Sequence, residues 1–168
     1  MNARRLLSGP AAQALALALL VCAMTWLSIT LSAPWRRLPP IWLPNAVSVA
    51  FLLRTPLRRW PLLLAASLAG NFAGSAVLDR NLVAVVGLTL ANVVESALCA
   101  WATLRLLGGR VSLARYRHIL TFCGIAVFSA AIGATMGSSW LGLINHVGAM
   151  TNWLMWSMAD ALGLIVLT

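Results

Sequence analysis

The sequence predicts an all-α fold: a polytopic transmembrane bundle of about six apolar segments, the second of them short and broken by proline. Three observations carry this. Hydrophobic residues make up 61% of the 168 and charged residues only 9%, with a mean hydropathy of +0.91. A soluble domain carries about 45–50% and about 25%, so this chain cannot cover a water-facing surface. The apolar residues come in long continuous runs, with none of the alternation of a membrane barrel. The 12 basic residues are all arginine and stand between the runs, against only 3 acids. This composition excludes a soluble enzyme, a secreted disulfide scaffold and a disordered tail.

The segments follow in order. Residues 11–31 form the first, behind Arg4 and Arg5. That run exceeds the ~7–15 residues of a signal-peptide core, so it reads as an uncleaved span. The second, 41–53, has Pro44 near its start and Pro39 and Pro40 before it. At ~1.5 Å per residue it cannot cross a ~30 Å hydrocarbon core alone. It either extends back through residues 34–37 at the interface or lies as a tilted or re-entrant helix. Pro44, lacking a donor, is expected to loosen the backbone ladder beside Asn45. Residues 60–78, 82–104, 118–137 and 151–168 form the third to sixth segments, each long enough to nearly or fully cross. The longest polar connection, 108–117, is too short to fold by itself, so residues 1–168 read as one membrane domain.

Arginine counting gives a topology. With six crossings and the amino terminus inside, the inner side holds Arg4, Arg5, Arg54, Arg58, Arg59, Arg105, Arg110, Arg115 and Arg117. The outer side holds Arg36, Arg37 and Arg80, a nine-to-three bias. If the second segment does not cross and the amino terminus is outside, the two arginine pairs exchange sides and the score is unchanged. Six crossings are preferred, because exporting a short arginine-bearing terminus is disfavoured. Both arrangements place the carboxyl terminus in the cytoplasm. The net charge of +9 is thereby topological. It does not point to nucleic acid, whose binders gather basic residues on one soluble face.

Chemistry must come from polar residues at membrane depth. Cys22, Cys99 and Cys123 lie in separate runs, and His118 and His146 stand alone, so neither a metal nor a cofactor is expected. Gly70 and Gly74, and the stripe Ala126, Ala130, Gly133 and Gly137, let helices approach closely. Packing within the chain is the simpler reading of these faces, and a homodimer contact the sharper one. Thr89, Asn92, Ser96 and Cys99 share one face of the fourth segment, with Glu95 beside them. Asn71 lies in the third and Asn45 in the second. Trp153, Trp156 and Asp160 share a face of the sixth. A carboxylate at bilayer depth costs ~2.5 kcal/mol or more, so both acids should face protein or a cavity. Two readings stay open: interhelical hydrogen bonds that fix the bundle, or a ligand-sensing pocket formed by Asn45, Asn71, Asn92, Glu95, Trp153, Trp156 and Asp160. No nucleophile–base spacing and no phosphate loop accompanies them, so an enzyme is not expected.

The run Ile41-Trp42-Leu43-Pro44-Asn45-Ala46, then Arg58-Arg59-Trp60-Pro61 and Ser67-Leu68-Ala69-Gly70-Asn71, continues with Ala91-Asn92-Val93-Val94-Glu95-Ser96. It closes with Trp153, Trp156 and Asp160-Ala161-Leu162-Gly163. In order and spacing this resembles the bacterial membrane-associated sensor domain, type one, of the MASE family. The resemblance implies an integral input module of the inner membrane, without cofactor. Its expected partners are the lipid bilayer, an unknown small ligand and a cytoplasmic output module in cis or trans: diguanylate cyclase, phosphodiesterase, PAS or histidine kinase. It also implies about eight spans before that output module. With six segments and no such module before Thr168, the chain is expected to be a truncated input domain or to signal through a partner. The alternative is a small membrane transporter or a substrate-binding transporter subunit. The proline-broken segment and the buried acids suit it, but no internal repeat supports it.

Overall fold

The structure, a computed structural model, describes residues 9–32, 41–78, 81–108, 115–145 and 149–167. The prolines at 34, 39 and 40, His146, and the arginines at 4, 5, 36, 37, 80 and 110 lie outside them. Among the described residues the fold is entirely helical: α1 (Pro10–Ser32), α2 (Leu43–Leu53), a 3₁₀ turn (Leu57–Arg59), α3 (Trp60–Ala76), α4 (Leu82–Leu107), α5 (Tyr116–Asn145) and α6 (Ala149–Leu167).

Local chemistry sets several ends. Pro10, Pro44 and Pro61 all stand in the first turn of their helices, where a missing N–H loses no intrahelical bond. Pro44 therefore starts α2 and does not loosen it. Asn81 caps α4 by accepting from the Ala84 N–H at 3.1 Å, and Gly108 ends the helix at φ 66°, a left-handed conformation that glycine adopts without strain. α5 runs eight residues beyond Gly137, where the sequence reading ended it. Gly137 and Ser138 are buried there against neighbouring helices, not turned out in a loop. The Trp140 indole N–H also ties this stretch to the Val83 carbonyl of α4 at 3.0 Å. Among the described residues, three stretches are long and apolar enough to cross a membrane: Pro10–Leu31, Leu82–Leu107 and Tyr116–Ile144. α3, with 17 residues, covers about 25 Å, and α2, with 11, about 16 Å.

Pairwise contacts give the helix directions. Gln13 accepts from Arg59 at 3.3 Å, Gly70 abuts the Ala18 backbone, and Gly74 lies against Cys22 and Thr25. α1 and α3 therefore run parallel. The Ser48 and Ser67 hydroxyls meet at 2.7 Å and the Trp60 indole donates to the Leu52 carbonyl at 3.1 Å, so α2 runs back between them. The Trp140–Val83 and Gly133–Glu95 contacts make α5 antiparallel to α4, and α6, which begins four residues after α5 ends and packs along it, runs back antiparallel to α5. Successive helices thus run in opposite directions, five reversals among the six helices, a point the arginine count left open. Every described arginine, Arg54, Arg58, Arg59, Arg105, Arg115 and Arg117, stands at one end of the bundle. The carboxyl-terminal end of α6 is at that same end.

Burial is inverted relative to a soluble protein. Leu15, Leu19, Val83, Leu90, Val127, Phe128, Met158 and Val166 are exposed on the outside, which suits lipid contact. Thr25, Asn45, Ser48, Ser67, Asn71, Thr89, Ser96, Ser129 and both described acids are buried. The small-residue faces are used within the chain: Gly70 and Gly74 against α1, Gly133 against α4 and Gly137 against α6. α2 sits at the centre, in contact with α1, α3, α4 and α6.

Candidate functional site

The site begins where the first turn of α2 meets α6. The Trp42 N–H donates to the Ala159 carbonyl at 3.0 Å. The Trp42 carbonyl lies where a Cβ on Gly163 would stand, so only glycine allows α6 to come this close. The Leu43 N–H reaches the Ser28 hydroxyl of α1 at 3.5 Å. Held in this way, α2 turns its third residue, Asn45, toward α4, where the Asn45 amide nitrogen donates to Asn92 Oδ1 at 3.4 Å.

Three residues along α4 from Asn92, Glu95 is fully buried. Its carboxyl packs on Gly133 of α5, whose missing side chain makes the room; a Cβ there would stand 3.1 Å from Glu95 Cβ and overlap Oε2. From α6, the Asp160 side chain comes within hydrogen-bonding reach of Glu95, and Asn45 approaches the same carboxyl. This is a meeting of acceptors. Neither oxygen of Glu95 nor Oδ1 of Asp160 has a well-formed hydrogen bond; the Asn45 amide, which gives one N–H to Asn92, is the donor that approaches Glu95. The hydroxyls of Ser96 and Ser129 close by are also buried without partners. Cys99, one turn further along α4, lies beside Ser129.

The structure brings four of the seven sequence candidates together: Asn45, Asn92, Glu95 and Asp160. Trp156, one turn before Asp160, packs its ring on Gly137, 2.6 Å from where a Cβ would stand, and so walls the α5–α6 side. Trp153 is turned away, with its indole donating at 2.9 Å to the hydroxyl of Thr135 on the exposed face of α5. Asn71 is also apart. It accepts from Thr25 of α1 at 3.5 Å, because α3 turns that face toward α1 and not toward α4. The hydrogen bond recorded for Asn71 is thus to Thr25 and not to either acid. Sequence reasoning did not place Trp42, Ser129 or Gly133 in the site. Gly133 was visible as part of a small-residue stripe, whereas Ser129, four residues earlier on the same face, carried no signal of its own.

A buried polar group without a partner is uncommon in native proteins and marks a position with a further role. Here two carboxyl groups converge with no described arginine near them. Such a site can receive a ligand that brings positive charge or hydrogen-bond donors. The apolar groove of about 240 Å³ between α3 and α4, lined by Leu68, Phe72, Val86 and Leu90 among others, contains neither acid.

Comparison with known proteins agrees with this architecture. The family model of MASE1 matches residues 11–168. No curated protein and no solved structure matches the chain.

Proposed function

Because the chain belongs to the MASE1 family of membrane-associated sensor domains, we propose that it is the input half of a bacterial signal-transduction protein. It perceives a small ligand or membrane condition at Asn45, Asn92, Glu95 and Asp160 and relays it through α6 to a cytoplasmic output module. A diguanylate cyclase, a phosphodiesterase or a histidine kinase would serve. The observation that carries the reading is the contact of two buried carboxyls from α4 and α6, three of whose oxygens have no partner, beside the backbone bond that Trp42 gives to Ala159 of α6. A ligand that favours one packing of these helices over another shifts the population of the two, and α6 is the helix that continues toward the output side.

The orientation follows from the arginine-bearing end. Lysine and arginine are retained on the cytoplasmic side of bacterial inner membranes, so that end, with the carboxyl-terminal end of α6, faces the cytoplasm. A reporter active only outside, fused after Thr168, should stay silent; its activity would overturn the orientation. In this reading the chain itself turns over no nucleotide, and cyclic-di-GMP synthesis by the purified chain alone would overturn it.

The deciding experiment attaches a signalling domain after Thr168 and compares Glu95→Gln and Asp160→Asn with wild type for membrane abundance and output together. Both isosteres keep shape and remove only the ionisable group. The expected result is unchanged abundance with output altered several-fold. Normal output in both variants refutes the sensing role, and loss of abundance in step with output assigns the acids to bundle structure.

One observation favours a second reading. A short helix whose first turn lies inside the bundle beside two acids is also the arrangement of discontinuous helices in secondary transporters. Solute flux into vesicles that is abolished by Asp160→Asn, with no effect on any attached output domain, would favour transport.

A further inference from the structure

We propose that Glu95 and Asp160 together bind one monovalent cation, a proton or a sodium ion, held between their carboxyl groups. The inference rests on the sensing reading only for what the cation is used for; the binding itself rests on geometry. The two side chains come from different helices, meet within hydrogen-bonding reach and are 0% and 4% exposed. Two carboxylates cannot donate to each other. Their contact is stable only with a positive species between them.

No protein group supplies that charge among the described residues. α2 carries Asn45 and no charged side chain, α6 carries only Asp160, and the described parts of α1 and α3 are uncharged. Arg105 of α4 stands ten residues from Glu95, about 15 Å along the helix. Arg117 and His118 of α5 are at the same distant end. The one other titratable group nearby is the Cys99 thiol, a turn away. The N–H groups at the start of α2 do not supply it: Trp42 donates to Ala159, Leu43 to Ser28, and Pro44 has none. One cation halves the charge of the pair.

The donors also define the class of ion. The pair offers carboxyl oxygens from two helices, with the Asn45 amide beside Glu95, and the buried hydroxyls of Ser96 and Ser129 lie on the adjoining turns of α4 and α5. An all-oxygen set suits a proton or a hard cation and not a soft transition metal. Of the two acids only Asp160 keeps accessible surface, so exchange runs past its side. Release leaves two like charges face to face, which drives α4 and α6 apart beside the residue through which α6 holds α2.

The test uses the full chain in lipid nanodiscs, with two arms. In the first, infrared difference spectra are recorded between about pH 5 and about pH 9 for the carbonyl band of a protonated carboxyl. In the second, sodium is titrated at fixed pH and followed by sodium-23 relaxation. A titrating band that is lost in Glu95→Gln or Asp160→Asn identifies a proton. Saturable binding of about one sodium per chain, lost in the same variants, identifies sodium. The chain has only 3 acids, so Asp79→Asn leaves any remaining side-chain band to this pair even where an isostere fails to fold. Neither a carboxyl band nor saturable sodium binding in the wild-type chain overturns the proposal. Altered output in the isosteres without cation binding overturns the cation and leaves the sensing site standing. Cation binding with normal output in both isosteres supports the ion site and overturns the sensing reading.

Discussion

The two sides of the bundle bury similar polar residues and treat them differently. On the side of α1, α2 and α3 the polar groups are paired, the Trp42 indole at the start of α2 excepted: Ser48 with Ser67 at 2.7 Å, Thr25 with Asn71 at 3.5 Å, and the Trp60 indole with the Leu52 carbonyl. On the side of α4, α5 and α6, Glu95, Ser96, Ser129, Ser138 and Asp160 all have buried oxygens without partners. A closed pair satisfies its own desolvation and ties two helices together. An open group pays that cost in the resting fold and keeps its bonding capacity for something else. Burial is common to both sides, and what separates the fastening from the site is pairing.

The largest expected effect tests the closed side. Gly70→Leu places a side chain onto the Ala18 backbone, and backbone cannot yield as a side chain can. A loss of about 3 kcal/mol or more is expected, seen as failure to accumulate in membranes and a lowered melting point in detergent. Its counterpart on the open side is Gly133→Ala, where the new Cβ meets the Glu95 side chain. That carboxyl can swing aside, so a cost of about 1 kcal/mol is expected, together with a several-fold change in the output of an attached signalling domain. Equal stability losses with unchanged output would break the comparison.

A third pair sharpens it. Asn71→Leu removes one member of a closed pair and should cost about 0.6 kcal/mol, with output unchanged. Asn92→Leu should cost about the same in melting experiments and alter output, because it frees Asn45 beside Glu95. If Asn71→Leu moves output as much as Asn92→Leu, the two sides are not functionally distinct. The smallest effect is the coupling between Thr25 and Asn71. A double-mutant cycle with Thr25→Val and Asn71→Leu should give an interaction of about 0.5 kcal/mol, which reflects the long 3.5 Å contact.

Run length and hydropathy were sufficient for the number, order and type of the helices, because a lipid solvent demands long apolar segments. The same demand turned Glu95, Asn92 and Asp160 inward before any contact was known. What the sequence could not carry was partnership. A helix face states that it must be covered and not by which neighbour, so Asn71 and Asn92 looked alike although one faces α1 and the other α2. Periodicity grouped Trp153 with Asp160, whereas the local bond to Thr135 holds it on the outer face. The end of α5 was misplaced because Gly137, Ser138 and Ser139 resemble a loop in composition, yet Gly137 exists to admit Trp156. The reversal of direction at α2 emerged only from contacts such as Gln13 with Arg59, since arginine counting is blind to exchanging two equal pairs.

The central position of α2 has a consequence for how the chain is made. α2 is too short to hold itself across a bilayer, and its first turn is secured by the Ala159 carbonyl on α6, more than a hundred residues further along the sequence. When it leaves the ribosome, only α1 is present to receive it, so it enters the membrane as the first arm of a hairpin with α3 and waits with its Trp42 N–H unclaimed. α6 follows the other described helices, and it brings Gly163, which alone is small enough to close over the Trp42 carbonyl. The centre of the described bundle is therefore closed by α6, and a chain interrupted before Ala159 leaves α2 without its anchor.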